Sequence, residues 1–185
     1  MNPITYHIQD VYSGVRGVAG NFAIGNKLVI YPGSFNPLHE GHKAIFKLAK
    51  KILDIEPIFE ICIKNFDKGT IDAKEMERRL GQFKDYPYML SRGQYFRDKV
   101  KILRDELPDN PIIFLLGNDT WERIETKDYD FFLRNNVRFL VFPRYGKRPE
   151  FAKYPKLLVY VDDDYLHDFN SIPKISSTQI RNQTL

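Results

Sequence analysis

The sequence predicts one α/β domain, a doubly wound parallel sheet with helices on both faces. Three observations carry this. From Lys27 onward, short apolar runs alternate with longer segments of helical period, the order that successive β-α units produce. Residues 111–116, Pro-Ile-Ile-Phe-Leu-Leu, are continuously apolar, as a central parallel strand covered on both faces requires. The chain has 185 residues and is 43% apolar, enough for one domain with a core and too little for two large ones.

The elements follow in order. Residues 1–26 have no strong periodicity and are punctuated by Gly14, Gly17, Gly20 and Gly25, so an irregular arm or hairpin of unassigned role is expected ahead of a domain spanning 27–185. Residues 28–31 read as a β-branched strand. Residues 44–53 place Ile45, Leu48, Ala49 and Ile52 at helical spacing, with lysines on the other face. A second strand is expected at 57–63. A helix at 71–83 follows, with Asp72 as N-cap and Met76, Leu80 and Phe83 on one face. An extended piece at 86–90 leads to a helix at 92–107 that Pro108 ends. Two further strands read at 137–142 and 157–161. Between them, residues 143–155 form a basic and aromatic loop, the segment best placed to move. No internal repeat or low-complexity tract interrupts the chain.

Composition narrows the function classes. A net charge of +4 with scattered lysines reads as solubility rather than attraction of polyphosphate to a basic cleft, and no nucleic-acid partner is expected. Cys62, the lone cysteine, excludes an internal disulfide and fits a reducing compartment; its place within a strand favours packing over catalysis. No run is long and apolar enough to span a membrane, and the N-terminus lacks a signal-peptide core, so a cytoplasmic protein without membrane partners is expected. The sequence leaves homo-oligomer formation open.

The chain is organised around residues 33–42, Gly-Ser-Phe-Asn-Pro-Leu-His-Glu-Gly-His, lying between the first strand and its helix. Gly33 permits a tight turn and close approach to a ligand. The following helix points free N–H groups and its positive dipole end at the turn, a seat for phosphate. His39 and His42, three residues apart, stand beside that seat as hydrogen-bond donors. Ligands of open α/β sheets bind beyond the carboxyl ends of the strands, where strand order reverses, and the turns at Gly33 and Gly117 both lie at such ends.

This run resembles the HxGH signature of the nucleotidyltransferase superfamily, and its GSFNPxHxGH form is similar to the nicotinamide/nicotinate mononucleotide adenylyltransferase branch. A second match, Ile175-Ser176-Ser177-Thr178-Gln179-Ile180-Arg181, resembles that branch's ISSTxIR motif. The resemblance covers residues 26–185 and implies a Rossmann-like nucleotidyltransferase fold. It also implies transfer of AMP from ATP to a small phosphate acceptor such as nicotinamide or nicotinate mononucleotide, with release of pyrophosphate. By the same resemblance His39, His42 and Arg181 are expected to take the catalytic roles. Gly33, Ser34, Phe35, Asn36, Gly41, Ser176, Ser177 and Thr178 are expected to bind nucleotide, and Gly117-Asn118-Asp119 resembles the family's GxD turn. Asn65 and Lys68, after the second strand, are further candidates to reach substrate phosphate, with a solvated loop as the alternative. Trp121 either stacks on a flat ring or packs. Magnesium is expected to arrive on the nucleotide, because no carboxylate pair marks a protein-built metal site.

Other readings stay open. A cytidylyltransferase or a phosphopantetheine-type adenylyltransferase shares the first motif, and a nucleotide-binding sensor without turnover would keep both. A class I aminoacyl-tRNA synthetase also uses HxGH, but this chain has no room for a tRNA-binding domain. Residues 176–185 form a short terminal segment, so they are expected to order when phosphates are bound.

Overall fold

The computed structural model describes residues 2–65, 69–107, 109–142, 157–160 and 177–183. Seven strands form one sheet in the order β1-β6-β3-β2-β7-β8-β9. They are β1 (Val18–Gly20), β2 (Leu28–Pro32), β3 (Ile58–Cys62), β6 (Tyr88–Ser91), β7 (Ile112–Gly117), β8 (Val137–Phe142) and β9 (Leu158–Tyr160). All neighbours pair in parallel except β1, which runs antiparallel along β6 at the edge. A two-stranded ribbon, β4 (Lys64–Asn65) with β5 (Gly69–Thr70), stands apart after β3. The doubly wound parallel sheet is therefore present as expected.

The chain leaves β2 for β3 on one side and later returns to place β7 on the other, so the order reverses between β2 and β7. Alternate residues feed opposite faces. Val29 and Tyr31 point toward one layer, formed by helices α1 (Pro3–Ser13), α2 (Glu40–Leu53) and α3 (Ala73–Leu80), where Val11, Phe46, Ala49, Met76 and Leu80 close the core. Leu28 and Ile30 point toward the other, where Val100 and Leu103 of α4 (Phe96–Glu106) pack beside Phe132 of α6 (Tyr129–Arg134). A single turn, α5 (Asn118–Trp121), follows β7, and α7 (Ser177–Gln183) is the last described element. No described helix is long and apolar enough to cross a membrane.

The first residues differ from the expected irregular arm. They form α1 and β1, because Ile4, Ile8 and Val11 line one helical face against the sheet. The side chain of Asn2 accepts from the Ile4 N–H at 3.1 Å, Pro3 opens the helix, and Gly14 ends it at φ +83° with its N–H on the Val11 carbonyl. His7 Nδ1 lies 2.8 Å from the Tyr88 hydroxyl, and Glu106 of α4 accepts from the backbone N–H groups of Gly17 and Val18. Both faces of the fold thus hold this segment.

The other boundaries shift by a few residues. The helix expected at 71–83 is shorter, but Asp72 caps it by accepting from Glu75 N–H at 2.9 Å. The helix expected from 92 starts at Phe96, because residues 92–95 pass under a buried network. There Lys99 Nζ donates to Glu60 Oε1 at 2.6 Å and to the Gly93 carbonyl at 2.7 Å, and Ser91 also donates to Glu60. Cys62 is half-buried at the end of β3, and burial pushes its thiol pKa up, in keeping with packing rather than nucleophilic chemistry. The loop 143–155 lies outside the described residues.

Candidate active site

The register of β2 on β7 pairs Leu28 with Ile112 and Ile30 with Phe114; the same offset carried three residues further sets Gly33 level with Gly117. The two expected turns therefore flank the reversal of strand order, the place where open α/β sheets bind their ligands.

Within the first turn each residue has a distinct physical reason. The Gly33 N–H continues the ladder onto the Glu60 carbonyl at 3.0 Å. A Cβ at Gly33 would sit 2.6 Å from the Phe35 ring, so glycine is required there by packing and not by a left-handed backbone. Phe35 itself is left-handed, at φ +42°, uncommon for a bulky residue. Its ring is buried edge-on among Tyr31, Phe59, Phe83 and His42, with centroids 4.9–5.6 Å apart. The Phe35 side chain thus anchors the turn in the core, while Gly33 and Ser34 remain exposed. The Asn36–Pro37 peptide is cis.

His39 is the extended N-cap of α2, and its carbonyl accepts from the His42 and Lys43 N–H groups at 2.9 and 3.2 Å. Gly41 is buried in this first helical turn. The two imidazoles stack with centroids 3.7 Å apart and planes 22° from parallel. His42 Nδ1 accepts from the His39 N–H at 3.4 Å, which assigns the ring hydrogen to Nε2 and makes that atom a donor. His39 is buried and His42 half-buried, so both rings act from partly dehydrated positions.

The distant second motif meets the first. Ser177 Oγ donates to the Pro37 carbonyl at 3.0 Å, and one helical turn later the Arg181 guanidinium donates to the Asn36 carbonyl. In this arrangement the Ser177 hydroxyl serves docking of α7. Thr178 lies in α7, but its side chain, like all of Ser176, is outside the described residues.

The acceptor-side candidates divide. Gly117 ends β7, and Asp119, the second residue of α5, is half-buried; the Asn118 side chain is outside the described residues. Of the two readings of Trp121 the structure shows packing: it is buried, stacked on Tyr129 at 5.3 Å and packed on Phe139. Asn65 sits in the β4–β5 ribbon opposite Gly69, its side chain undescribed, and Lys68 is likewise outside the described residues.

Helix α3 supplies groups that the motifs did not announce. Arg78 donates to Asn36 Oδ1 at 2.5 Å and Arg79 to the Ser34 carbonyl at 3.4 Å. Gln82, just past the helix, donates to the Phe35 carbonyl at 3.0 Å and accepts from the Leu38 N–H at 2.8 Å. Glu75 accepts from both arginines at 2.7 Å, and these bonds, Arg78's first, hold its carboxyl at a pKa of about 2. The spacing of Glu75, Arg78 and Arg79 at i, i+3 and i+4 was a readable sign of this cluster. Its reach to the turn was not.

The arrangement assembles N–H donors, two oriented imidazoles and an arginine around one turn, the equipment for holding crowded phosphates. The family model Cytidylyltransferase-like matches residues 30–183. A Fusobacterium nucleatum protein described as "Probable nicotinate-nucleotide adenylyltransferase" is 26% identical over 177 residues, 85% of this chain and 86% of that one. A phosphopantetheine adenylyltransferase of Mycoplasma mycoides is 32% identical over 128 residues, 66% of this chain and 89% of its own length. The nicotinic acid mononucleotide adenylyltransferase of Plasmodium falciparum, solved with NaAD, superposes with a TM-score of 0.57 at 20% identity, covering 84% of this chain and 82% of that one. The match spans both motifs and all the strands from Ile30 onward, so the chain belongs to the Cytidylyltransferase-like family of nucleotidyltransferases.

Proposed function

We propose that this protein transfers AMP from ATP to nicotinate mononucleotide. An oxygen of the acceptor's phosphate attacks the α-phosphorus, the bond from that phosphorus to the bridging oxygen breaks, and pyrophosphate leaves. The acceptor phosphate is already anionic at neutral pH, so no general base is needed; alignment and charge neutralisation make up the catalytic task. The observation that carries the reading is the convergence of the stacked His39–His42 pair and Arg181 on the turn after β2. His42 Nε2 and His39 would donate to α- and β-phosphate oxygens, the N–H groups at the turn and at the start of α2 would line the same seat, and Arg181 would offset charge on the departing pyrophosphate. Asp119 and Gly117, across the reversal of strand order, would face the acceptor.

Magnesium would enter with the triphosphate. Among the described residues no group of three acidic, histidine or cysteine side chains could hold a metal, and the turn offers donors, which suit phosphate oxygens rather than the ion. Use of ATP and a single free cysteine both support a cytoplasmic location as part of the same proposal.

The choice of acceptor rests on the relatives, among which a phosphopantetheine adenylyltransferase supports a second reading. Pyrophosphate release from ATP or CTP, each with nicotinate mononucleotide, nicotinamide mononucleotide or phosphopantetheine, decides it. Turnover with ATP and nicotinate mononucleotide is expected. Preference for phosphopantetheine or CTP would move the protein to another branch, and ATP binding without turnover on any acceptor would make it a sensor.

A further inference from the structure

The peptide planes of the phosphate-facing turn are set from outside it, by α3. Ser34 and Phe35 carbonyls both point to side chains of that segment: the first to Arg79 at 3.4 Å, the second to Gln82 at 3.0 Å. In a planar trans peptide the carbonyl of one residue and the N–H of the next point in opposite directions. Anchoring those two carbonyls on α3 therefore turns the N–H groups of Phe35 and Asn36 to the opposite side of the turn. Successive N–H groups presented together around a left-handed residue make an anion-binding concavity, and Phe35 is that residue, at φ +42°. Gln82 does more than hold one plane. Its carbonyl oxygen accepts from the Leu38 N–H at 2.8 Å, so one amide closes the turn from Phe35 to Leu38, immediately before His39. Its nitrogen also bonds the Arg79 carbonyl at 3.1 Å, which ties the amide to α3 itself.

We infer that Gln82 is a positioning residue of nucleotidyl transfer: it touches no substrate, but orients the Phe35 and Asn36 N–H groups toward the triphosphate and fixes where α2 and its histidines begin. Arg79 assists at the preceding plane. This inference rests on the nucleotide seat proposed above, and on no particular acceptor.

Two variants test it. Gln82→Met keeps the volume and neither bond to the turn. Gln82→Glu regains both bonds to the turn only when protonated, since a carboxylic acid accepts at one oxygen and donates at the other, whereas the carboxylate repels the Phe35 carbonyl. ATP affinity is measured by calorimetry, kcat by pyrophosphate release with the acceptor the wild type uses, and folding by circular dichroism. The expected result is a folded Gln82→Met variant whose kcat falls at least about 10-fold, in the range for loss of aligned donors, with weaker ATP binding. For Gln82→Glu, the ratio of its kcat to that of the wild type should be well below one at about pH 8, where the carboxyl is ionised, and should climb as lower pH protonates it. A Gln82→Met variant within twofold of wild type in kcat and ATP affinity, with only its melting temperature lowered, would reduce Gln82 to a stabilising contact and overturn the proposal. So would a Gln82→Glu ratio close to one at every pH, which decides the matter alone if the methionine variant does not fold. If the wild type turns over no acceptor, the reading of function fails by itself, and ATP affinity of the same variants, with the same pH comparison, still decides the role of Gln82.

Discussion

At the residue scale, His42 is oriented by its own neighbourhood. The His39 N–H meets Nδ1, so Nε2 carries the ring hydrogen; the Phe35 ring meets the imidazole edge-on at 4.9 Å, and the His39 ring stacks on it. Replacement by alanine removes that donor and little of the core, because His42 is half-buried at the start of α2. His42→Ala is expected to lower kcat about 100–1,000-fold with an unchanged far-ultraviolet spectrum. Steady-state pyrophosphate release checks this, and near-normal turnover would remove the histidine from the transition state. The same scale explains why Gly33 is glycine: the Phe35 ring occupies the space a side chain would need.

At the element scale, α3 and α7 hold the turn from two directions. The Glu75 carboxyl is depressed to about 2 by Arg78 and then Arg79, so its ion pairs stabilise the fold fully above the ordinary carboxylate pKa, near 4.3. That contribution is lost as pH falls from about 4.3 to about 2. Glu75→Gln should therefore be less stable than wild type at pH 7 and should lose less on acidification, the two converging below about pH 2. Urea midpoints across this range read the difference; parallel curves would show that the pairs add nothing. For α7, Ser177 and Arg181 clip onto carbonyls of Pro37 and Asn36 from a helix of seven residues, too short to persist alone. Truncation after Ile175 should leave the sheet folded and reduce nucleotidyl transfer to background. Hydrogen exchange, with and without a non-hydrolysable ATP analogue, should show added protection in α7 on binding. An active truncated enzyme would remove this segment from the site.

At the scale of the whole molecule, the N-terminal segment is a working part of the fold. Ile8 and Val11 belong to one core, Val18 to the other, and β1 covers the edge of β6. Ile8→Ala should cost about 2–5 kcal/mol, a large part of a domain's usual margin of about 5–15 kcal/mol. Removing residues 1–26 should yield an aggregating or loosely packed protein, because an edge strand and apolar helix faces are bared together. Near-ultraviolet circular dichroism and solubility check this; a folded, active remainder would make the segment an appendage.

The residues alone determined the alternation of strands and helices, the central apolar strand, read at 111–116 and found at 112–117, and the turn that carries His39 and His42. Period, β-branching, glycine and capping chemistry are properties of neighbours in sequence, so they can be read before the chain folds. Asp72 as the cap of α3 belongs with them. So did the start and stop of α1, for Asn2-Pro3 and Gly14 are capping signals that the glycine-punctuated stretch obscured. Tertiary structure decided what depends on which distant groups meet. Trp121 became core because Tyr129 and Phe139 surround it. Lys99 became a buried partner because Glu60 projects from the middle of β3 toward α4. Gln82, 44 residues from Leu38, reaches the turn because α3 packs beside it, a closeness that local sequence pattern does not encode.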